Sequence, residues 1–454
     1  MSWEKLVSTT VIGGVLLFCG SQVQSETLQE AVSTMLQTNP EVRSSAYNRL
    51  GRDEEVRQAR AGYLPEVNVT AGYGIQSIQE PVNDERSAQE VVLSLRQNIF
   101  TGFATKNEVE RQKARVNSQA YSLQSTSENT ALRTTEVYLN VLRQQELLRL
   151  AEENLGSHLR ITDQINLRSD AGVASTSDSD QAAGRASLAQ ANVVATQANL
   201  IDAQTNYLAV VGHLPTDLTE PTISANLLPA SLADAEAAAV KMHPTLKSAD
   251  ADLEARQEQY EVARAPYLPI IDLEVDQRWN RDIDREEGSD ERIIAMIRLR
   301  YNFFRGFRDE ARKAETVQLI SEAREIKNNT HRQVVESIRL SWMAYQAVTD
   351  QIKYLEQRVD SITGTADSYV KQFSLGKRTL LDVLDTEAEV IDAKRSLVEA
   401  RYDLLHAQYR ILNGLGQLVK SFNQEWPKES QVNDSNKMIE TKNDPAHKQY
   451  PPSA

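Results

Sequence analysis

Six carboxylates, Asp382, Asp385, Glu389, Asp392, Glu399 and Asp403, fall along one proline-free run near the end of a 454-residue chain. They avoid the apolar positions of the same run, which recur every seven residues. Such a row concentrates negative charge and attracts cations. Its plain alternative is a solvated polar face, which is the preferred reading for Glu389, Asp392, Glu399 and Asp403. Nothing else in the sequence points to bond-making chemistry. The histidines, at 158, 213, 243, 331, 406 and 447, are scattered without metal-ligand spacing. No glycine-rich phosphate loop follows a strand pattern, and no Ser/His/Asp set can be argued from spacing. Cys19 is the only cysteine, which excludes a disulfide framework and a cysteine metal site. The net charge of −14 argues against nucleic acid, whose phosphates would be repelled. An enzyme is not expected, nor is a cofactor.

The elements that hold this row are written twice. Residues 59–65 read ARAGYLP and residues 263–269 read ARAPYLP, an offset of 204. The same offset pairs Asn39-Pro40 with His243-Pro244, Gly102-Phe103 with Gly306-Phe307, Gly172 with Gly376, and Gly212 with Gly416. A single register held across so many turn residues indicates tandem duplication, with halves at 26–229 and 230–420. Residues 421–454 form a polar tail with little apolar content and are expected to be disordered. Residues 1–25 read as an export signal: Lys5, the apolar run VIGGVLLFCG, then small residues before a cut ahead of Glu26. Bulky Phe18 before Cys19 argues against lipidation.

Within each half, short helices are expected at 28–38 and 232–242, ending at a proline. A second helix runs to YLP, where the period changes from 3.6 to 2. Val67, Val69, Ala71, Tyr73 and Ile75 alternate with polar or small residues, and Leu273, Val275, Ile293 and Ile297 do the same in the second copy. Strands are placed at about 66–77, 88–100, 270–281 and 291–304, the length a tilted strand needs to cross a bilayer. Aromatic residues gather near their ends. A soluble sheet with one face on a core gives the same alternation, but these polar faces carry full charges and no compact helical layer is available to cover the apolar ones. Long helices follow, from Phe103 to about Arg168 and from Phe307 to about Ser374, each turning at Gly172 or Gly376 into a return helix. The heptads of the return helix, Val383-Leu384 through Ile411-Leu412, signal coiled-coil packing. Four strands cannot close a barrel, and open edges are not tolerated in a bilayer, so the chain must oligomerise. Two chains would give eight strands and three would give twelve.

The segment GKRTLLDVLD (376–385), continued by TEAEVIDAKRSLVEARYDLL, resembles the TolC-type outer-membrane efflux and secretion channels, as do the duplicated halves, the NP and YLP breaks and the F-x-G-F turns. The similarity covers about 27–418. It implies a fold that is mainly α with β: a homotrimer in which an α-helical tunnel through the periplasm joins a shared twelve-stranded β-barrel in the Gram-negative outer membrane, four strands per chain. Implied partners are outer-membrane lipid, a periplasmic adaptor (membrane fusion) protein and an inner-membrane ABC or other transporter. Asp382 and Asp385 match paired aspartates that line the tunnel entrance, where six carboxylates from three chains would favour cations and could raise one another's pKa values. Arg378 matches an arginine that holds the entrance shut, with Ser177 and Asp178 as its polar partners; a solvated turn residue is its bland alternative. Gly172 and Gly376 mark the tips that dock the adaptor. Two positions depart from the pattern: Phe373 replaces a tyrosine, and Gln181 stands where an acid would match Asp385. Type I protein secretion, including adhesin export, is the favoured role. The alternatives are a small-molecule or drug efflux pump and a periplasmic coiled-coil adaptor or rod.

Overall fold

The structure, a computed structural model, describes residues 25–78, 84–283 and 288–432. The export signal up to residue 24 and the tail beyond 432 lie outside them.

Two short helices open each half, α1 (Leu28–Thr38) and α2 (Pro40–Ala61), then α5 (Leu232–Met242) and α6 (Pro244–Arg264). Thr27 and Glu30 cap α1 reciprocally. Asn39 and His243 cap α2 and α6, each followed by a proline at the first helical position, where the missing N–H costs nothing. The chain then forms β1 (Glu66–Ile78) and β2 (Asp84–Phe100) in the first half, and β3 (Ile270–Arg281) and β4 (Ser289–Arg300) in the second. These pair in the order β1-β2-β3-β4, antiparallel throughout.

Two strand ends lie four residues from the sequence expectation. β2 begins at Asp84 rather than 88, because Glu85 and Ser87 still ladder with Ser77 and Ile75 although their side chains carry no apolar alternation. β4 stops at Arg300 rather than 304. Asn302 Oδ1 accepts from the Phe304 N–H at 3.1 Å, turning the chain, and Tyr301–Phe303 and Phe304–Phe307 meet edge to face at 4.9 and 5.3 Å.

The helices α3 (Ala104–Asp170) and α7 (Arg308–Ser374) each have 67 residues, a rod of roughly 100 Å at 1.5 Å per residue. Both start behind a glycine and a phenylalanine in the left-handed region, Gly102-Phe103 and Gly306-Phe307. Of these two glycines only Gly102 is at a place where a Cβ would strike another element, at 2.6 Å from the Ala265 carbonyl oxygen. The rods return as α4 (Thr176–Val211) and α8 (Leu380–Gly414). Midway along them lies the main core, where Met35, Tyr138, Tyr207, Ile338, Trp342 and Leu412 pack together.

The expectation that disorder begins at 421 is corrected. Residues 418–430 form a strap that starts with α9 (Leu418–Ser421) and lies against α3. Phe422 stacks on Tyr409. The Glu128 carboxylate, 2% exposed, accepts the Leu418 N–H at 2.7 Å, the Val419 N–H at 3.3 Å and the Trp426 indole N–H at 2.8 Å. Sparse apolar residues suffice here because each one is seated and the carboxylate satisfies the orphan donors at the start of α9.

Candidate functional site

Each helical hairpin ends in the same short turn. In the first copy the Val173 N–H reaches the Arg168 carbonyl at 2.8 Å, and in the second Lys377 reaches Gln372 at 2.9 Å. Gly172 and Gly376 sit in the left-handed region, φ 76° and 71°, where a side chain would be strained. A return helix then starts on a reciprocal cap: Ser175 with Asp178, and Thr379 with Asp382. The Thr379 hydroxyl donates to Asp382 at 2.8 Å and its N–H at 3.1 Å. Together these bonds hold the Asp382 carboxyl below its ordinary pKa. Within the chain, that shift is opposite in sense to the one expected from crowding.

The two tips are packed together. Ile165, Ala182, Leu380 and Leu384 form a small apolar cluster, with Phe373 against it. Arg185 of α4 donates to Asp385 of α8 at 2.8 Å, so this carboxylate is bound across the repeat. The Phe373 ring, where a hydroxyl was missing from the pattern, faces the Arg168 guanidinium at 4.8 Å. Arg378 lies over Tyr369 at 4.1 Å, donates to Gln372 at 3.1 Å and approaches Asp382 only to 3.9 Å. Within one chain it bonds neither Ser177 nor Asp178. Ser177 instead shares a hydrogen bond with Ser175. Exposed contacts of this kind contribute about 0–1 kcal/mol each, so Arg378 is lightly held.

Sequence reasoning missed Arg185, Tyr369, Gln372 and Thr379. Thr379 had a signal, since Thr-x-x-Asp ahead of an apolar run is a capping pattern; the cross-repeat pair had none. Of the outlying carboxylates, Asp392 pairs with Arg358 at 2.9 Å and Asp403 approaches Arg143 at 3.8 Å, as suits a solvated face.

At the other end, the sheet keeps one face apolar and exposed, with Val69, Ile75, Ile293 and Ile297 each at least 70% accessible. Its other face carries an ion network. Asp272 receives Arg96 at 2.9 Å and also pairs with Arg300, while Glu274 takes Arg298 at 2.6 Å and Arg300 at 3.0 Å. An apolar outer face, a charged inner face and long rods beyond them are the parts of a barrel with a tunnel attached. Residues 31–213 and 237–417 match the family model described as outer membrane efflux protein.

The chain belongs to the outer membrane efflux protein family.

It is a non-enzymatic outer-membrane efflux channel that extends into the periplasm. It is 26% identical over 385 residues to outer membrane efflux protein BepC of Brucella suis biovar 1, covering 85% of this chain and 84% of that one. It is 25% identical over 400 residues to outer membrane protein TolC of Escherichia coli K12, covering 84% and 80%. In fold it is similar to the Campylobacter jejuni CmeC outer membrane channel, with a TM-score of 0.74 at 14% identity over 96% of this chain and 94% of that one.

Proposed function

We propose that three copies of the chain close one pore and serve type I protein secretion, joined at the helical tips to a periplasmic adaptor and an inner-membrane transporter. One observation carries the assembly: β1 and β4 are the outer strands of a four-stranded sheet whose apolar face is exposed. In lipid, that sheet needs further copies at both edges. Three copies make twelve strands, enough to surround an aqueous lumen. The helices favour the same closure. Val194, Ile201 and Leu208 lie exposed along α4 at seven-residue spacing, an apolar row that a neighbouring chain would cover. Asp382, Asp385 and Arg378 then converge at the narrow end from three chains. There the weakly held Arg378 can bond the adjacent chain's tip and close the entrance.

The preference for polypeptide cargo rests on the resemblance of the chain as a whole to the secretion branch, which exceeds its resemblance to the drug-pump branch. The experiment is a deletion strain assayed twice, by mass spectrometry of the culture medium and by growth with toxic small molecules. Loss of a specific secreted protein with unchanged small-molecule tolerance supports secretion. Lost tolerance with an unchanged secretome refutes it.

A further inference from the structure

A cavity of about 330 Å³ opens between α2, α3 and α6, lined by Arg52, Arg111, Arg115 and Arg256, with Asp252 the only acidic residue lining it. Glu55 bridges Arg52 at 2.6 Å and Arg115 at 2.8 Å, and Glu108 takes Arg111 through two bonds. Arg256 donates to the Gln259 amide oxygen at 3.1 Å and has no ion pair among the described residues. A guanidinium carries five N–H donors. Among the described residues, the bonds of Arg52, Arg115 and Arg256 use only the Nη1 groups. Burial first, and then Arg52 and Arg111 alongside it, lower the Arg115 pKa, with Glu55 and Glu108 opposing. A second cavity of about 740 Å³ shares Arg111 and Gln259, and adds Arg305, Arg308 and Arg312 around the start of α7, balanced there by Glu108, Asp309 and Glu315.

The side of the wall follows from the strap. Gln124 Nε2 donates to the Ser430 carbonyl and Glu128 holds Leu418, so the strap covers that face of α3. Arg115 lies nine positions before Gln124, about two and a half turns, on the opposite face. An added layer fits outside a closed ring, which leaves the arginines inside it.

We propose that these arginines form an anion site on the tunnel's inner wall that takes multivalent phosphate-type oxyanions; its placement in the lumen, though not its chemistry, rests on the ring reading above. Partly desolvated planar forks suit such oxygens, which accept two parallel bonds from each guanidinium. The test is calorimetric titration of the purified full chain in detergent with inorganic pyrophosphate. Saturable binding is expected, weakened roughly tenfold or more in Arg115→Gln/Arg256→Gln. Arg256→Gln alone breaks no ion pair and is expected to weaken binding about threefold with helical content unchanged. Arg149→Gln, remote from the cavity, is the control. In planar bilayers pyrophosphate is expected to reduce the wild-type current but not that of the double variant. Absent saturation, or equal weakening in Arg149→Gln, overturns the site. Saturable, arginine-dependent binding by protein that forms no pore upholds the site and overturns the ring.

Discussion

Replacing Glu128 with Gln isolates the contact that fastens the C-terminal strap. The wild-type carboxylate offers two acceptor oxygens to three donors, the N–H groups of Leu418 and Val419 and the indole of Trp426. Glutamine keeps one oxygen and presents an NH₂ to the other side, so at least one buried N–H loses its partner. That loss costs about 1–3 kcal/mol, or roughly 5- to 150-fold in the opening equilibrium of the strap. Burial also lifts the Glu128 pKa to about 7 from an ordinary 4.5. For a carboxyl raised in the folded state, the associated stability is complete below pH 4.5 and is lost as pH climbs through 7. The span corresponds to roughly 3 kcal/mol. Hydrogen exchange on peptides covering 416–432 should therefore quicken in the wild type between pH 5 and 8 beyond the intrinsic chemical rate. In Glu128→Gln it should lose that extra dependence. Unaltered exchange in the variant, or an identical pH trend, would refute the assignment of Glu128 as the anchor.

Three further outcomes are expected. Arg378→Ser should raise single-channel conductance in planar bilayers, and an unchanged conductance removes Arg378 from the closed state. Asp385→Asn should shift the reversal potential toward lower cation selectivity; Asp385 is the better probe because Asp382 also caps α8, and a reversal potential equal to wild type argues against a selectivity role. Gly416→Ala places a Cβ 2.4 Å from Pro244 Cδ at φ +66°, whereas Gly306→Ala meets open space at a similar φ. Both variants carry backbone strain of about 1–2 kcal/mol, and only the first adds a clash, so thermal melting should fall further for Gly416→Ala. Equal melting temperatures would count against that packing.

The fold was largely legible because its punctuation repeats. Pro40 and Pro244, the two YLP breaks and the turn glycines fix where elements stop, and the change of period from 3.6 to 2 fixes their type. The limits lay where backbone and side chain carry different information. Glu85 and Ser87 continue a ladder without apolar pattern, and Asn302 ends β4 amid residues with strong strand preference. The strap was misread because composition sums a segment, whereas Phe422 and Trp426 act singly. At the tips, the glycines could be placed from the repeat spacing and the carboxylates from the family resemblance. That Arg185 would reach Asp385 could not, since their separation of 200 residues leaves no local trace.

The two return helices share a heptad grammar but not a fate. Val194 and Leu208 are 63% and 40% accessible, while their counterparts Val398 and Leu412 are 9% and 2%. Duplication therefore yielded halves that are no longer interchangeable. A gene encoding the first half twice would make a backbone of nearly the right shape with two greasy flanks and no mate for one of them. Each half now constrains the other, and neither is free to drift back towards independence.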